Sequence, residues 1–136
     1  MSDLERFVEA QEGVHERALA EVRAGRKTTH WMWFVFPQVA GLGSSPMAAR
    51  YAIHSLDEAR DYLAHPVLGL RRVACAEAAL AVPERSAHDS FGSPDDLKLR
   101  SSATLFEKAA GPGSVFTRLL ERFYGGERDT RTLERL

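Results

Sequence analysis

Apolar side chains recur every three or four positions through the first 24 residues, with Glu and Arg between them. This spacing places one set of side chains on a single face of a helix. Gly25 follows the pattern as a stop signal. The sequence therefore predicts an amphipathic helix over residues 3–24, whose inner face consists of Leu4, Phe7, Val8, Gln11, Val14, Ala18 and Val22.

The middle of the chain predicts two more helices. Ser55 and Glu58 have the spacing of a capping box, in which a hydroxyl and a carboxylate bind backbone N–H groups at a helix start. A helix is therefore expected over residues 56–64. Residues 66–82 form a second pattern that is apolar around most of the helix circumference, so this helix is expected near the centre of the fold, with Cys75 in the core.

Three helix starts follow in the last third of the chain. Residues 93–110 predict a helix with Ser93 as its N-cap, a proline in the first turn and two Asp near the positive end of the dipole. A further helix is expected from Ser114 to a stop at Gly125. Thr130 is expected to cap a short final turn.

The stretch from Thr28 to Leu56 differs from the rest of the chain. Arg50 is its one charged residue, yet it holds five of the twelve Phe, Trp and Tyr residues. The β-branched and aromatic content of Trp31–Phe36 favours a short extended segment or a small hairpin. The predicted fold is mainly α, a single domain over residues 1–136 with about five to seven helices.

Length, charge balance and cysteine content argue against several classes of protein. The chain has 136 residues, 18 Lys and Arg against 19 Asp and Glu, and a net charge of −1. This length supports a core without metal or disulfide support. The charge balance and the absence of a basic stripe argue against nucleic acid as a partner. A single cysteine, and no signal peptide or apolar run of membrane length, predict a cytoplasmic protein without a membrane partner, as a monomer or weak homodimer.

A first candidate site lies in the aromatic segment over residues 30–38 and the glycine-containing loop over residues 41–45. Aromatic faces stack a base or a sugar, an amide side chain offers both a donor and an acceptor, and glycines let the backbone approach a ligand closely. The ligand-binding residues predicted here are Trp31, Trp33, Gln38 and Ser44.

Charged residues near the start of the helix over residues 93–110 form the second half of this site. If its first turn faces the aromatic segment, Lys98 and Arg100 hold an anion and Asp96 binds a hydroxyl or acts as a base. His30 borders the aromatic segment and is the first candidate for acid–base chemistry. In the alternative interpretation the carboxylates only stabilise the helix start and the two cations are solvated.

No metal site or cofactor is predicted. The five histidines lack the spacing that places two imidazoles on one helix face, and one cysteine is too few for a structural zinc site. The first hypothesis is therefore a small-ligand domain for a nucleotide-like or sugar-phosphate compound, with enzymatic activity left open. The alternative is an interaction module that uses the aromatic patch on a shallow face, and a third possibility is that the patch belongs wholly to the core.

An ordered set of short motifs runs through nearly the whole chain: Leu4-Glu5-Arg6-Phe7, His30-Trp31-Met32-Trp33-Phe34, Phe36-Pro37-Gln38, Gly41-Leu42-Gly43, Tyr51-Ala52-Ile53, His65-Pro66, Leu68-Gly69, and Phe91 to Asp96 with Lys98. This set resembles the bacterial domain-of-unknown-function family 1810, sometimes labelled calpastatin-like. The resemblance implies a mainly helical, single-domain cytoplasmic protein. It brings no activity and no catalytic residues.

A second, fainter similarity rests on Tyr51-Ala52-Ile53, Glu58-Ala59 and Leu68-Gly69. This pattern is similar to NADAR-type domains, which act on ADP-ribosyl or ribosylamino-pyrimidine compounds. The chain departs from them in lacking a counterpart of their glutamate-centred motif. The similarity implies that ADP-ribosyl-type chemistry is the first reaction class to consider.

Overall fold

Helices form all of the regular secondary structure in residues 3–136, which are the residues that the computed structural model describes. The only β feature among them is one parallel bridge between Val39 and Ile53. The mainly helical prediction is confirmed, but the described residues form ten helices rather than five to seven. They are α1 (Glu5–Gln11), α2 (His15–Arg23), α3 (Met32–Val35), α4 (Pro46–Arg50), α5 (Leu56–Ala64), α6 (Leu68–Ala81), α7 (Ala87–Phe91), α8 (Asp95–Ala110), α9 (Val115–Tyr124) and α10 (Thr130–Glu134).

The predicted helix over residues 3–24 is wrong in one respect, because the chain breaks it into α1 and α2. Gly13 lies in the break with a φ of +71°, a left-handed conformation that glycine adopts without a steric penalty. The N–H of Val14 donates to the carbonyl of Gln11 across the turn at 3.0 Å. The apolar spacing continues through the break, so both helices still bury one face.

The expected extended segment at Trp31–Phe36 is also corrected. Residues 32–35 form the single turn of α3, in which the N–H of Val35 donates to the carbonyl of Trp31 and that of Phe36 to Met32, each at 3.1 Å. Met32, Phe34 and Val35 are all buried. Tertiary packing of these side chains outweighs their intrinsic preference for strands.

Two predicted caps are replaced by neighbouring groups. Ser93 does not cap α8; instead the N–H groups of Asp96 and Lys98 donate to the carbonyls of Gly92 and Pro94, at 2.8 and 3.2 Å. Backbone acceptors thus satisfy the first turn, although the two Asp occupy it as predicted. At α10 the cap is Asp129 rather than Thr130.

The central helices follow the prediction closely. Ser55 caps α5 by accepting from the N–H of Glu58 at 3.0 Å. The carboxylate of Glu58 accepts from the N–H of His54 and from Arg6, so the reciprocal half of the capping box is not formed. Helix α6 packs against α2, α5 and α9 near the centre, and Cys75 is buried there. Helix α8 packs against α5, α7, α9 and α10.

A buried arginine lies at the centre of this core. Arg72 on α6 is 1% exposed and donates from Nη2 to the hydroxyl of Ser102 at 3.0 Å. Its guanidinium carbon lies 4.6, 5.0 and 4.8 Å from the ring centroids of Phe36, Phe106 and Phe116. Its Nε and Nη1 have no hydrogen-bond partner among the described residues. Burial lowers the pKa of Arg72 to about 10.

None of the helices within residues 3–136 is both long enough and apolar enough to cross a membrane.

Candidate functional site

The loop after α3 is held against the rest of the fold by backbone pairing. The N–H of Ile53 donates to the carbonyl of Gln38 at 2.9 Å, and the N–H of Ala40 donates to the carbonyl of Ile53 at 2.8 Å. These bonds fix the path of residues 38–40, and the loop continues through Leu42 to Ser45, which caps α4. The loop then faces the first turns of α8.

One ion pair ties the start of α8 to the segment that precedes the aromatic residues, and a second ion pair lies within α8 itself. Lys27 Nζ lies 2.9 Å from Asp95 Oδ2 and Lys98 Nζ lies 3.8 Å from Asp95 Oδ1. The Lys98 ammonium also lies over the indole ring of Trp33, 5.4 Å from its centroid. The aromatic segment and the charged start of α8 therefore meet in space.

One cleft at this junction has a volume of about 310 Å³, and we call it the basic cleft. Three cations line it, Lys98 and Arg100 from α8 and Arg131 from α10, against the single acid Asp129. The complete lining is Gln38, Leu42, Gly43, Pro94, Leu97, Lys98, Arg100, Ser101, Asp129 and Arg131.

The acid in the basic cleft is already engaged. Asp129 Oδ2 accepts from Ser101 Oγ at 3.2 Å, and from the N–H and the hydroxyl of Thr132 at 3.1 and 2.5 Å. Arg100 pairs only at 3.4 Å with Glu127, whose side chain is 76% exposed, and its buried Nε has no partner among the described residues. The cleft therefore presents more positive than negative charge to a ligand.

A second cleft of about 280 Å³ lies on the other side of Lys98, and we call it the Trp33 cleft. Trp33 is partly exposed in it, and His30 is exposed with no hydrogen bond or ion pair of its side chain within residues 3–136. Pro94 and Lys98 line both clefts. The complete lining is Lys27, His30, Met32, Trp33, Ser93, Pro94, Asp95 and Lys98.

The relatives of the chain fit this architecture. The model of a family described as a protein of unknown function, DUF1810, matches residues 1–136. The chain belongs to the DUF1810 family. No curated protein matches it. The crystal structure of the conserved hypothetical protein Rv1873 from Mycobacterium tuberculosis is similar, with a TM-score of 0.96 and 53% identity over 98% of this chain and 96% of that one.

Trp31 has a different place in this DUF1810 protein from the one expected. Its side chain is fully buried, and its Nε1 donates to Glu21 Oε1 at 2.9 Å. The ring packs against Phe36 and Phe91 with centroid separations of 6.0 and 6.4 Å. These contacts leave no face for a ligand, so the expectation that Trp31 stacks one is corrected.

Two polar residues of the expected site also lie outside the clefts. The carboxylate of Asp96 is turned to His88, with Oδ2 3.5 Å from Nδ1, and Asp95 lines the Trp33 cleft in its place. The backbone N–H of Leu97 donates to Asp96 Oδ1 at 3.0 Å. Ser44 is exposed on the loop and lines neither cleft. The structure therefore does not bring Asp96 and Ser44 together with the residues that line the two clefts.

The aromatic segment does not form an exposed patch. Trp31, Phe34 and Phe36 are buried, and Trp33, the partly exposed ring of this segment, lies beside Lys98. The interaction-module hypothesis expected a shallow aromatic face remote from Lys98 and Arg100. The placement of these residues removes the surface on which that hypothesis depended.

Some lining residues were not predicted as site residues. Lys27 binds Asp95 and the carbonyl of Thr29, while Asp129 is the N-cap of the short α10 and Arg131 lies within that helix. Nothing in the local pattern of the last ten residues separates a cleft residue from a solvated one. Only the packing of α10 on α8 brings Arg131 to the cleft.

A third cleft, of about 430 Å³, lies at the other end of α8. Two of its charged groups bind each other: Arg128 donates to Glu107 from Nε and Nη2 at 2.8 and 2.6 Å, and Thr117 also donates to Glu107 at 2.6 Å. The hydrogen bonds from Arg128 lower the pKa of Glu107. This cluster stabilises the fold and offers fewer free groups to a ligand than the basic cleft.

Proposed function

We propose that this DUF1810 protein binds a small anionic ligand, a nucleotide-like or sugar-phosphate compound, in the basic cleft. The observation that carries the proposal is the convergence of Lys98, Arg100 and Arg131 on one concave surface, where the one acid is held by hydrogen bonds. Its volume is at the lower end of the range for small-molecule sites. Arginine guanidinium groups suit phosphate because they donate two parallel hydrogen bonds.

The remaining polar groups suit the rest of such a ligand. The amide of Gln38 has both a donor and an acceptor for hydroxyls or a base edge. Trp33, in the adjoining cleft, offers an aromatic face. ADP-ribosyl compounds combine all three features, namely phosphate, ribose hydroxyls and a base, and they belong among the first ligands to test.

A reaction on the bound ligand requires a group that transfers a proton. His30 lines the Trp33 cleft with its imidazole exposed, and histidine is the side chain most often used for general acid–base catalysis. Within this proposal His30 is the acid–base group. Asp95 binds Lys27 and Lys98, and its role is to position those cations.

Isothermal titration calorimetry with a defined panel tests the binding proposal. The panel is inorganic phosphate, ribose 5-phosphate, adenosine 5′-monophosphate and ADP-ribose. Arg100→Gln and Arg131→Gln are each expected to weaken binding of the phosphorylated compounds about 10-fold or more, because each removes charge-assisted hydrogen bonds worth about 1.5–3 kcal/mol. Added salt is expected to weaken the same binding.

Arg118→Gln is the matched control. Arg118 is exposed on α9 and lines neither cleft, so its loss is expected to leave every affinity unchanged. The proposal is wrong if none of the four compounds binds the unaltered protein, or if Arg118→Gln weakens binding as much as the two cleft variants do.

A further inference from the structure

Lys98 contacts both halves of the candidate site. It lines the basic cleft and the Trp33 cleft, and its side chain is 27% exposed. We propose that Lys98 couples the two clefts, so that the ligand class preferred here is an anion joined to a flat aromatic ring, as in a nucleotide, over a sugar phosphate. This inference rests on the proposed function and specifies its ligand.

The Lys98 ammonium covers the ring that a base needs. It lies over Trp33 at 5.4 Å from the centroid, a distance at which a cation is attracted to the face of an indole. A flat ligand must displace the ammonium from that face before it can stack. An uncharged ring offers the displaced ammonium no new electrostatic partner, so the contact between Lys98 and Trp33 is lost without replacement. A ring by itself therefore binds weakly.

An anion in the basic cleft changes this balance. The anion attracts the Lys98 ammonium towards itself and away from Trp33, because the Lys98 side chain borders both the basic cleft and the Trp33 ring. Asp95 tolerates the move because Lys27 Nζ stays 2.9 Å from its other oxygen, whereas Lys98 lies at 3.8 Å. The Lys27 side chain is 8% exposed and is held by the carbonyl of Thr29 as well. The carboxylate therefore keeps a partner.

The two subsites consequently assist one another. Occupation of the basic cleft uncovers Trp33, and a ring stacked on Trp33 leaves the ammonium to the anion. A compound with both groups gains from this coupling, whereas ribose 5-phosphate uses only the first subsite. Lys98 is thus the residue that couples binding of the ring to binding of the anion.

The test is Lys98→Ala, titrated with adenosine, adenosine 5′-monophosphate and inorganic phosphate. The variant removes the anion's partner and uncovers Trp33 at once, so its effects have opposite signs. Adenosine is expected to bind about 2- to 5-fold more tightly than to the unaltered protein, the size of an exposed cation–π contact. The monophosphate is expected to bind about 10-fold more weakly.

A second measurement uses the unaltered protein. Saturating inorganic phosphate is expected to strengthen adenosine binding in the unaltered protein and in the control Lys108→Ala, but to have no effect in Lys98→Ala. Lys108 is exposed on the same helix and lines the third cleft, not the basic cleft or the Trp33 cleft. Trp33→Ala is expected to abolish adenosine binding while leaving binding of inorganic phosphate in place.

Two outcomes overturn the inference. In the first, Lys98→Ala weakens adenosine and its monophosphate alike, or leaves adenosine binding unchanged. In the second, phosphate does not strengthen adenosine binding to the unaltered protein.

If ribose 5-phosphate and the monophosphate still bind with equal affinity and depend on Arg100 and Arg131, the proposed function stands without the coupling. If no phosphorylated compound binds, both proposals fall together.

Discussion

The carboxylate of Glu21 holds the turn between α2 and α3 in place. Its Oε1 accepts from the N–H groups of Thr28 and Thr29 at 2.8 and 3.0 Å and from Trp31 Nε1 at 2.9 Å, and its Oε2 accepts from the hydroxyl of Thr29 at 2.6 Å. Partial burial acts to raise the pKa of Glu21, but these hydrogen bonds outweigh it and lower the pKa to about 2. One side chain thus fixes the approach to the Trp33 cleft.

We predict that Glu21→Gln lowers the free energy of unfolding at pH 7 by about 1.5–3 kcal/mol, because hydrogen bonds to a charged acceptor are lost. A pKa lowered by folding stabilises the protein above the unfolded value, and this contribution is lost as the pH falls through the range from about 4.5 to about 2. Urea unfolding of the unaltered protein and the variant between pH 7 and pH 2 measures this difference, which is expected to shrink on acidification.

Glu77→Gln is the control for this prediction, because Glu77 is exposed on α6. Its unfolding free energy is expected to follow that of the unaltered protein at every pH. A difference between Glu21→Gln and the unaltered protein that stays constant down to pH 2 contradicts the assignment.

Among the elements, α7 has a complete capping box. The N–H of Asp89 donates to Ser86 Oγ at 3.0 Å, and the N–H of Ser86 donates to Asp89 Oδ2 at 3.5 Å. The helix ends at Phe91, whose ring contacts Trp31 and Phe36 edge-on. The cap therefore supports part of the aromatic core.

Ser86→Ala is predicted to cost about 1 kcal/mol of stability, the usual worth of an N-cap side chain. Ser93→Ala is the matched control, since Ser93 has the sequence context of a cap but backbone carbonyls satisfy the first turn of α8. Its cost is expected to stay within about 0.5 kcal/mol. Chemical denaturation of the two variants side by side compares them, and equal losses would contradict the structural account.

The sequence predicts the long helices well and the short ones poorly. The long helices α6, α8 and α9 each combine a clear apolar pattern with Pro or Gly at a boundary, so local signals and packing agree. The turn at Gly13 was missed because the spacing of apolar residues continues across it. The single turn of α3 was missed because its conformation depends on burial by distant segments.

At the scale of the whole molecule, the core contains a positive charge that forms no ion pair with any other residue in the range 3–136. Arg72 is surrounded by three aromatic rings and has one hydrogen-bonding partner, Ser102. The flat guanidinium stacks on these rings, whereas the ammonium of a lysine is a compact, strongly hydrated charge. Removing water from a lysine ammonium therefore costs more free energy than removing it from the arginine guanidinium.

Arg72→Lys is predicted to be at least about 2 kcal/mol less stable than Arg72→Met, because a buried ammonium without partners carries a large desolvation penalty. Methionine fills part of the same space and its thioether contacts aromatic rings favourably. Urea unfolding compares the two variants. If Arg72→Lys is the more stable, attraction between the cation and the rings exceeds the cost of burying the charge.

The candidate site depends on contacts between distant parts of the chain, which limits what the sequence alone shows. Five of the predicted site residues line the two clefts, and their roles toward a ligand stay predictions: Lys98, Arg100, Gln38, Trp33 and His30. Neither local pattern nor composition separates Trp31 from Trp33, since the contacts that bury the Trp31 ring come from Glu21, Phe36 and Phe91. Arg131 reaches the cleft only because a short helix packs on α8.

Because Cys75 is buried, its chemical modification reports when the fold opens. The thiol is 1% exposed, and burial raises its pKa to about 11, so the reactive thiolate is scarce in the native fold. It is the one cysteine in the sequence. A disulfide reagent in solution is therefore expected to modify Cys75 only in molecules in which α6 has separated from its neighbours. Slower labelling in the presence of a bound compound then reports tightening of the whole molecule, without a probe placed near either cleft.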